Sequence, residues 1–200
     1  MLDGAARRLI GPPLDAAGRR LARHGVSADG LTVTGFLCGL AAAAAIASDA
    51  TLLALIPLGL SRLLDGLDGA VARATRKTDR GGYLDITLDF AFYGAVPLAF
   101  ALRDGADARA AAVLLFAFYV NGASFLAFAA VAARRGMATT RRGEKTIYFT
   151  AGLAEGTETI AAFVAMCLWP AAFALIASIF AGLCLITAAA RVALAVRTFD

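Results

Sequence analysis

Two hundred residues would suit one soluble domain by length, but 60% of them are hydrophobic and only 17% are charged, at a mean hydropathy of +0.74. A soluble domain is nearer about 45–50% apolar and about 25% charged, so too little polar surface remains to coat a water-soluble globule, and disorder, which needs low hydrophobicity, is excluded too. The net charge of +4 is therefore read as cationic loops that hold orientation in a bilayer and meet anionic lipid, with no nucleic acid as partner.

A spanning helix needs about 20 apolar residues. The length thus admits six spans with short loops. The expected fold is an all-α integral membrane protein: six transmembrane helices preceded by an N-terminal amphipathic interfacial helix. Residues 1–29 make the interfacial unit. Leu2, Leu9, Ile10, Leu14 and Leu21 alternate there with Arg7, Arg8, Arg19, Arg20 and Arg23, the pattern of a segment that lies in the interface. Pro12-Pro13 should break it. The break precedes any apolar core, so no cleavable signal peptide is expected.

Residues 30–200 make the six-helix unit. Ser27 or Asp29 can cap the first span, expected over 30–48. The others are expected over 50–73, 81–102, 108–133, 146–168 and 170–197, with Pro170 in the last turn. Most Lys and Arg fall on one side: the N-terminal segment, Arg73 to Arg80, Arg134 to Lys145, and Arg191 with Arg197. Arg103 and Arg109 lie on the other side, and Arg62 lies within the second span. The positive-inside rule puts the richer side and both termini in the cytoplasm, at the inner membrane of a bacterium. Cys38, Cys167 and Cys184 read as buried thiols. The GxxxG pairs Gly35/Gly39 and Gly152/Gly156 read as close helix packing, or as a dimer face. Asn121 reads as an interhelical hydrogen-bonding group.

Asp65, Asp68, Asp85, Asp89, Glu155 and Glu158 all fall within the expected spans. Each costs a few kcal/mol in lipid, so an intramembrane acid is a functional hypothesis by default. Arg62 and Arg73 can neutralise two of them at most, and the rest call for another cation. Asp65 and Asp68 share one face of the second span, three residues apart. Asp85 and Asp89 share one face of the third, four apart. Two facing carboxylate pairs make a cage of hard oxygens, suited to Mg²⁺ or Mn²⁺ and to two ions with a bridging carboxylate. A two-metal site of that kind clamps the attacking and leaving oxygens in phosphoryl transfer.

The run Asp65-Gly-Leu-Asp68-Gly69-Ala-Val-Ala72-Arg73, seven further residues, then Gly81, Asp85 and Asp89, resembles the D-x-x-D-G-x-x-A-R…G-x-x-x-D-x-x-x-D signature of the CDP-alcohol phosphotransferases. The six-span layout with its interfacial helix is similar to that family as well, and Asp29-Gly-Leu-Thr32-Val-Thr-Gly35 resembles the opening of its first span. The resemblance implies that Asp65, Asp68, Asp85 and Asp89 hold two divalent metal ions. It implies that Asp89 is also the catalytic base on the acceptor hydroxyl, and that Gly69, Ala72 and Gly81 line the cytidine nucleotide pocket. Arg73 would meet the diphosphate; its alternative is a simple loop charge. The activity implied is transfer of a phosphatidyl group from CDP-diacylglycerol to a small polar alcohol, with release of CMP, by a homodimer. A reversed reaction, in which a CDP-linked head group passes to diacylglycerol, fits the same motif.

The acceptor is less legible. Arg134, Arg135, Arg141, Arg142 and Lys145 suit a phosphorylated acceptor, or serve topology alone. Glu155 and Glu158, one turn apart, suit an amine or a polyol, or else pair with arginines. Two rival classes remain: a cation channel built on the acids, and a membrane scaffold. A channel explains the acids but not Gly69, Ala72, Arg73 and Gly81 at their offsets.

Overall fold

Caps and left-handed turns set the helix boundaries. The computed structural model describes residues 3–137 and 154–199, and among these all regular structure is helical. The helices are α1 (Asp3–Arg23), α2 (Ala28–Ala47), α3 (Thr51–Ala74), α4 (Asp79–Arg103), α5 (Ala108–Arg134), α6 (Gly156–Leu168) and α7 (Phe173–Phe199). Single 3-10 turns at Gly105–Asp107 and Pro170–Ala172 lead into α5 and α7. Ser27 caps α2, its side chain accepting from Gly30 N at 3.1 Å. Asp29, the other expected cap, bonds Arg80 instead. Thr78 caps α4 in the same way as Ser27, accepting from Gly81 N at 3.0 Å. At the end of α1, Val26 N donates back to Leu21 O while Gly25 takes a φ of 78°. That six-to-one closure needs a left-handed residue, which glycine supplies without strain.

Among the described residues, four helical stretches are long and apolar enough to cross a membrane: Ala28–Ala47, Asp79–Arg103, Gly105–Arg134 and Pro170–Phe199. α3 is long enough but carries Arg62, Asp65, Asp68 and Arg73. α6 is a shorter apolar helix, and the stretch 146–153 expected to begin it lies outside the described residues.

The break expected at Pro12-Pro13 does not occur, and α1 runs through both prolines. Proline costs a helix one backbone bond and a ring clash. Here both rings are exposed, and tertiary contact on the opposite face outweighs the local penalty. An added Cβ on Gly18 would stand 2.5 Å from Ala70 Cβ and 2.8 Å from its carbonyl carbon, and one on Gly66 would stand 3.0 Å from Leu14. α1 therefore lies directly on α3.

In lipid, apolar burial alone drives little association, so small residues and polar contacts must hold helices together. Both are present. α2 packs on α3 and α4 through Gly35, against Leu64 and Ser61, and Gly39, against Phe92 and Ser61. Gly35 and Gly39 are buried within the chain, which satisfies the packing reading of this pair and leaves it no outward dimer face. Gly152 lies outside the described residues. Phe92 meets Phe163 edge to face at 5.9 Å, and Phe100 stacks on Phe173 at 4.3 Å, tying α4 to α6 and α7. Arg191, grouped by sequence with the terminal loop charges, sits half-buried within α7. Its Nη1 lies 2.9 Å from both Asn121 O and Asn121 Oδ1 and 2.7 Å from Ser124 Oγ. Asn121 is thus the interhelical hydrogen-bonding group its position suggested. Cys167 and Cys184 are buried free thiols, and Cys38 is half-buried.

Candidate active site

The short link between α3 and α4 turns the chain back on itself, so the C-terminal half of α3 faces the N-terminal half of α4. This brings Asp65 and Asp68 against Asp85. One carboxylate oxygen from each lies within 4.8 Å of the other two. Asp68 is 6% exposed, and the start of α2 supplies its partner: Thr32 Oγ1 donates to Asp68 Oδ2 at 2.7 Å. Three carboxylates this close repel one another strongly unless a cation lies among them.

Asp89 stands beside this trio but is bound differently. Arg62 Nη1 donates to Asp89 Oδ1 at 2.9 Å and lies 3.7 Å from Asp65 Oδ1. The Arg62 guanidinium thus serves Asp89 and grazes Asp65. The hard, all-oxygen set left by Asp65, Asp68 and Asp85 fits a divalent cation such as Mg²⁺ or Mn²⁺.

The carboxylates open onto a cavity of about 1110 Å³, bounded by α1, α2, α3, α4 and α6. Every motif position expected to bind metal or nucleotide lies on its wall: Asp65, Asp68, Gly69, Ala72, Arg73, Gly81, Asp85 and Asp89. The small residues have identifiable neighbours. A Cβ on Gly69 would stand 3.2 Å from Arg73 Nη1, and one on Gly81 would stand 3.1 Å from both Asp29 Oδ1 and the capping Thr78 Oγ1. A side chain at Gly81 would thus crowd the cap of α4 as well as the cavity.

Arg73 is neither a free loop charge nor bare in the cavity: its Nη2 donates to Asp15 Oδ1 at 2.7 Å, joining α3 to α1. The acceptor residues are more scattered. α6 reaches the cavity through Gly156, Thr157 and Ile160. Glu155, inside the expected span, is the N-cap residue of the observed α6, and Glu158 lies in the first turn. Glu155 also lies within electrostatic reach of Arg191. Arg134 ends α5, exposed and away from the cavity lining. Arg141, Arg142 and Lys145 lie outside the described residues.

Sequence reasoning missed two parts of the site. Asp15 left no signal, because its partner is 58 residues away. Thr32 entered only through the likeness of residues 29–35 to the opening of the family's first span, because its partner Asp68 lies on another helix. The sequence marks Arg62 as able to neutralise one intramembrane acid, and the structure identifies that acid as Asp89.

The fold and the carboxylate cluster together define a membrane transferase that acts on nucleotide-linked phosphate. Residues 26–196 match the CDP-alcohol phosphatidyltransferases, and the chain belongs to that family, as an enzyme of phospholipid biosynthesis. It is 48% identical over 193 residues to inner membrane protein YnjF of Escherichia coli, which covers 96% of this chain and 94% of that one. It is 42% identical over 84 residues to archaetidylinositol phosphate synthase of Pyrococcus horikoshii, spanning 42% of this chain and 45% of that protein. Its fold is shared with the crystal structure of Mycobacterium tuberculosis phosphatidylinositol phosphate synthase with CDP-diacylglycerol bound, at a TM-score of 0.63, 22% identity, and 91% and 92% coverage of the two chains. A second crystal structure of that synthase contains manganese and citrate.

Proposed function

We propose that this protein transfers a phosphatidyl group from CDP-diacylglycerol to the hydroxyl of a small polar alcohol, releasing CMP. The observation that carries the reading is the convergence of Asp65, Asp68 and Asp85 within 4.8 Å, beside Asp89, on the wall of one cavity large enough for a nucleotide. In this reading Asp65, Asp68, Asp85 and Asp89 hold two divalent cations, Mg²⁺ or Mn²⁺. When bound, such ions neutralise the diphosphate and stabilise the charge that develops on the leaving CMP.

The chain's own residues do the rest. Gly69, Ala72 and Gly81 let the backbone approach the flat cytosine and the diphosphate closely. Arg73, drawn from Asp15, meets the diphosphate. Asp89 takes the proton of the acceptor hydroxyl, whose oxygen forms the new bond to the lipid-linked phosphorus as the bond to CMP breaks. The relatives named as inositol phosphate-lipid synthases make a phosphorylated polyol the first acceptor to test. Thr157 and Ile160 would line its approach, with Glu155 and Glu158 binding its hydroxyls and Arg141, Arg142 and Lys145 its phosphate.

The same reading makes α2 to α7 six spans in the inner membrane. Residues 1–29 lie along the interface, residues 30–200 form the catalytic unit, both termini and the cavity face the cytoplasm, and two chains pair as a homodimer. The crowding of charge in α3, which sets it apart from the four apolar spans, is what a site at a membrane boundary requires.

The test is CMP release from CDP-diacylglycerol by purified protein with Mn²⁺ or Mg²⁺. The acceptors are inositol phosphate, glycerol 3-phosphate, serine, inositol, ethanolamine and choline, each offered separately. Release with one acceptor, lost on chelation and lost in Asp89→Asn, is expected. Silence with all six and no binding of CDP-diacylglycerol would refute the reading.

A further inference from the structure

Arg62 is held more firmly than neutralising charge requires. Its guanidinium lies over the ring of Phe92, 4.3 Å from the centroid. Its Nη2 donates to Ser61 Oγ at 3.0 Å. Phe92 and Ser61 are both 0% exposed, and both pack on the bare backbone of Gly39. A planar fork braced on a ring face and a buried hydroxyl has little freedom. Of its other two nitrogens, Nη1 donates to Asp89 Oδ1, 2.9 Å away, and Nε is buried with no hydrogen-bond partner among the described residues.

The four motif aspartates are thus divided. Asp65, Asp68 and Asp85 converge, while Asp89 is tied by one oxygen to a fixed arginine. The structure assigns to Arg62 the role of positioning residue for Asp89: it engages Oδ1 and so fixes how the carboxylate presents Oδ2 to the acceptor's proton. This inference rests on the transferase reading above. It adds that Gly39, Ser61 and Phe92, none of them in the motif, serve the reaction through Arg62.

A merely structural arginine makes different predictions. If Arg62 only offsets acid charge, then Arg62→Lys should behave as wild type, and Arg62→Gln should lose the assembled acids together with their metal. If Arg62 positions Asp89, lysine keeps the charge but loses the ring stacking and the planar fork.

The test combines steady-state CMP release with calorimetric titration of Mn²⁺ into the purified full chain in detergent. Arg62→Lys is expected to lower kcat about tenfold or more, as small misplacements of a reacting group do, with KM for CDP-diacylglycerol within about threefold. Arg62→Gln is expected to lower kcat further, yet to bind Mn²⁺ at least as tightly as wild type, because a nearby positive charge has been removed. Wild-type kcat in Arg62→Lys would overturn the proposal, and so would a tenfold loss of Mn²⁺ affinity in Arg62→Gln. Ser61→Ala keeps the arginine and removes one brace, so it serves if the Arg62 variants do not fold. A severalfold fall in kcat with unchanged Mn²⁺ binding supports the proposal, and an unchanged kcat overturns it. Absence of CMP release in the wild type is a separate result, which refutes the transferase reading itself.

Discussion

Replacing Gly39 by alanine adds one methyl group at the most crowded point between α2, α3 and α4. The new Cβ would stand 2.5 Å from Cδ2 of Phe92, 3.1 Å from its Cε2 and 3.2 Å from Ser61 Oγ. Carbon atoms rest about 3.5–4.0 Å apart, so the ring must retreat by about 1 Å. It has little room, since Phe163 meets it edge to face and Arg62 covers it. Overpacking of this kind costs about 1–3 kcal/mol, and the helix propensity of alanine over glycine returns up to about 1 kcal/mol. With the full return the net loss is about 0–2 kcal/mol, which for a chain of this size lowers Tm by up to about 8 °C. Gly59→Ala is the control: it lies in the same bundle, and a Cβ there meets nothing within 4 Å, so it should be neutral or stabilising. Gly122→Ala presses on Phe90, but that ring is 39% exposed and can swing outward, so its cost should be smaller than that of Gly39→Ala. Thermal unfolding in detergent can be followed through the two buried thiols, Cys167 and Cys184, which react with a maleimide dye only once the bundle opens. Equal Tm values for Gly39→Ala and Gly59→Ala would refute the argument that the Phe92 contact, and not helix propensity, sets the residue at position 39.

Thr32→Val removes the hydroxyl that orients Asp68, and losing the hydrogen bond that holds a ligating carboxylate weakens metal sites about 10- to 100-fold; calorimetry with Mn²⁺ should show that drop, and unchanged affinity would exclude a role for Thr32 in the site. Asp15→Ala breaks a half-exposed pair with Arg73 worth about 0–1 kcal/mol, so Tm should move little. Gly18→Val, by contrast, drives a side chain into the Ala70 backbone and should release α1, read as faster tryptic cleavage at Arg19, Arg20 and Arg23. Arg191→Met leaves Asn121 and Ser124 without their donor at a cost of about 1–3 kcal/mol; Tm should fall while CMP release per folded molecule stays within twofold of wild type, because Arg191 is not on the cavity wall.

Much of this protein follows from its amino-acid order, because the signals are local. Apolar runs place α2 to α5 and α7 within a few residues of those observed, and Ser27 stands where the start of α2 demands a cap. The Asp65–Asp89 spacing alone puts carboxylates on facing helix surfaces, since a helix sets which residues share a face. The tertiary structure decided what depends on distance along the chain. Pro12-Pro13 argued for a break, but α1 continues through both and packs by Gly18 on Ala70, and no local rule contains that contact. Four aspartates argued for a four-membered cage. Packing paired the fourth, Asp89, with Arg62, whose guanidinium is braced by Ser61 beside it and by Phe92 of α4. Arg191 looked like a terminal charge until α5 supplied Asn121 and Ser124. In each case sequence set the type of group and its helix face, while packing chose the partner, because a partner tens of residues away is selected by shape and charge in three dimensions.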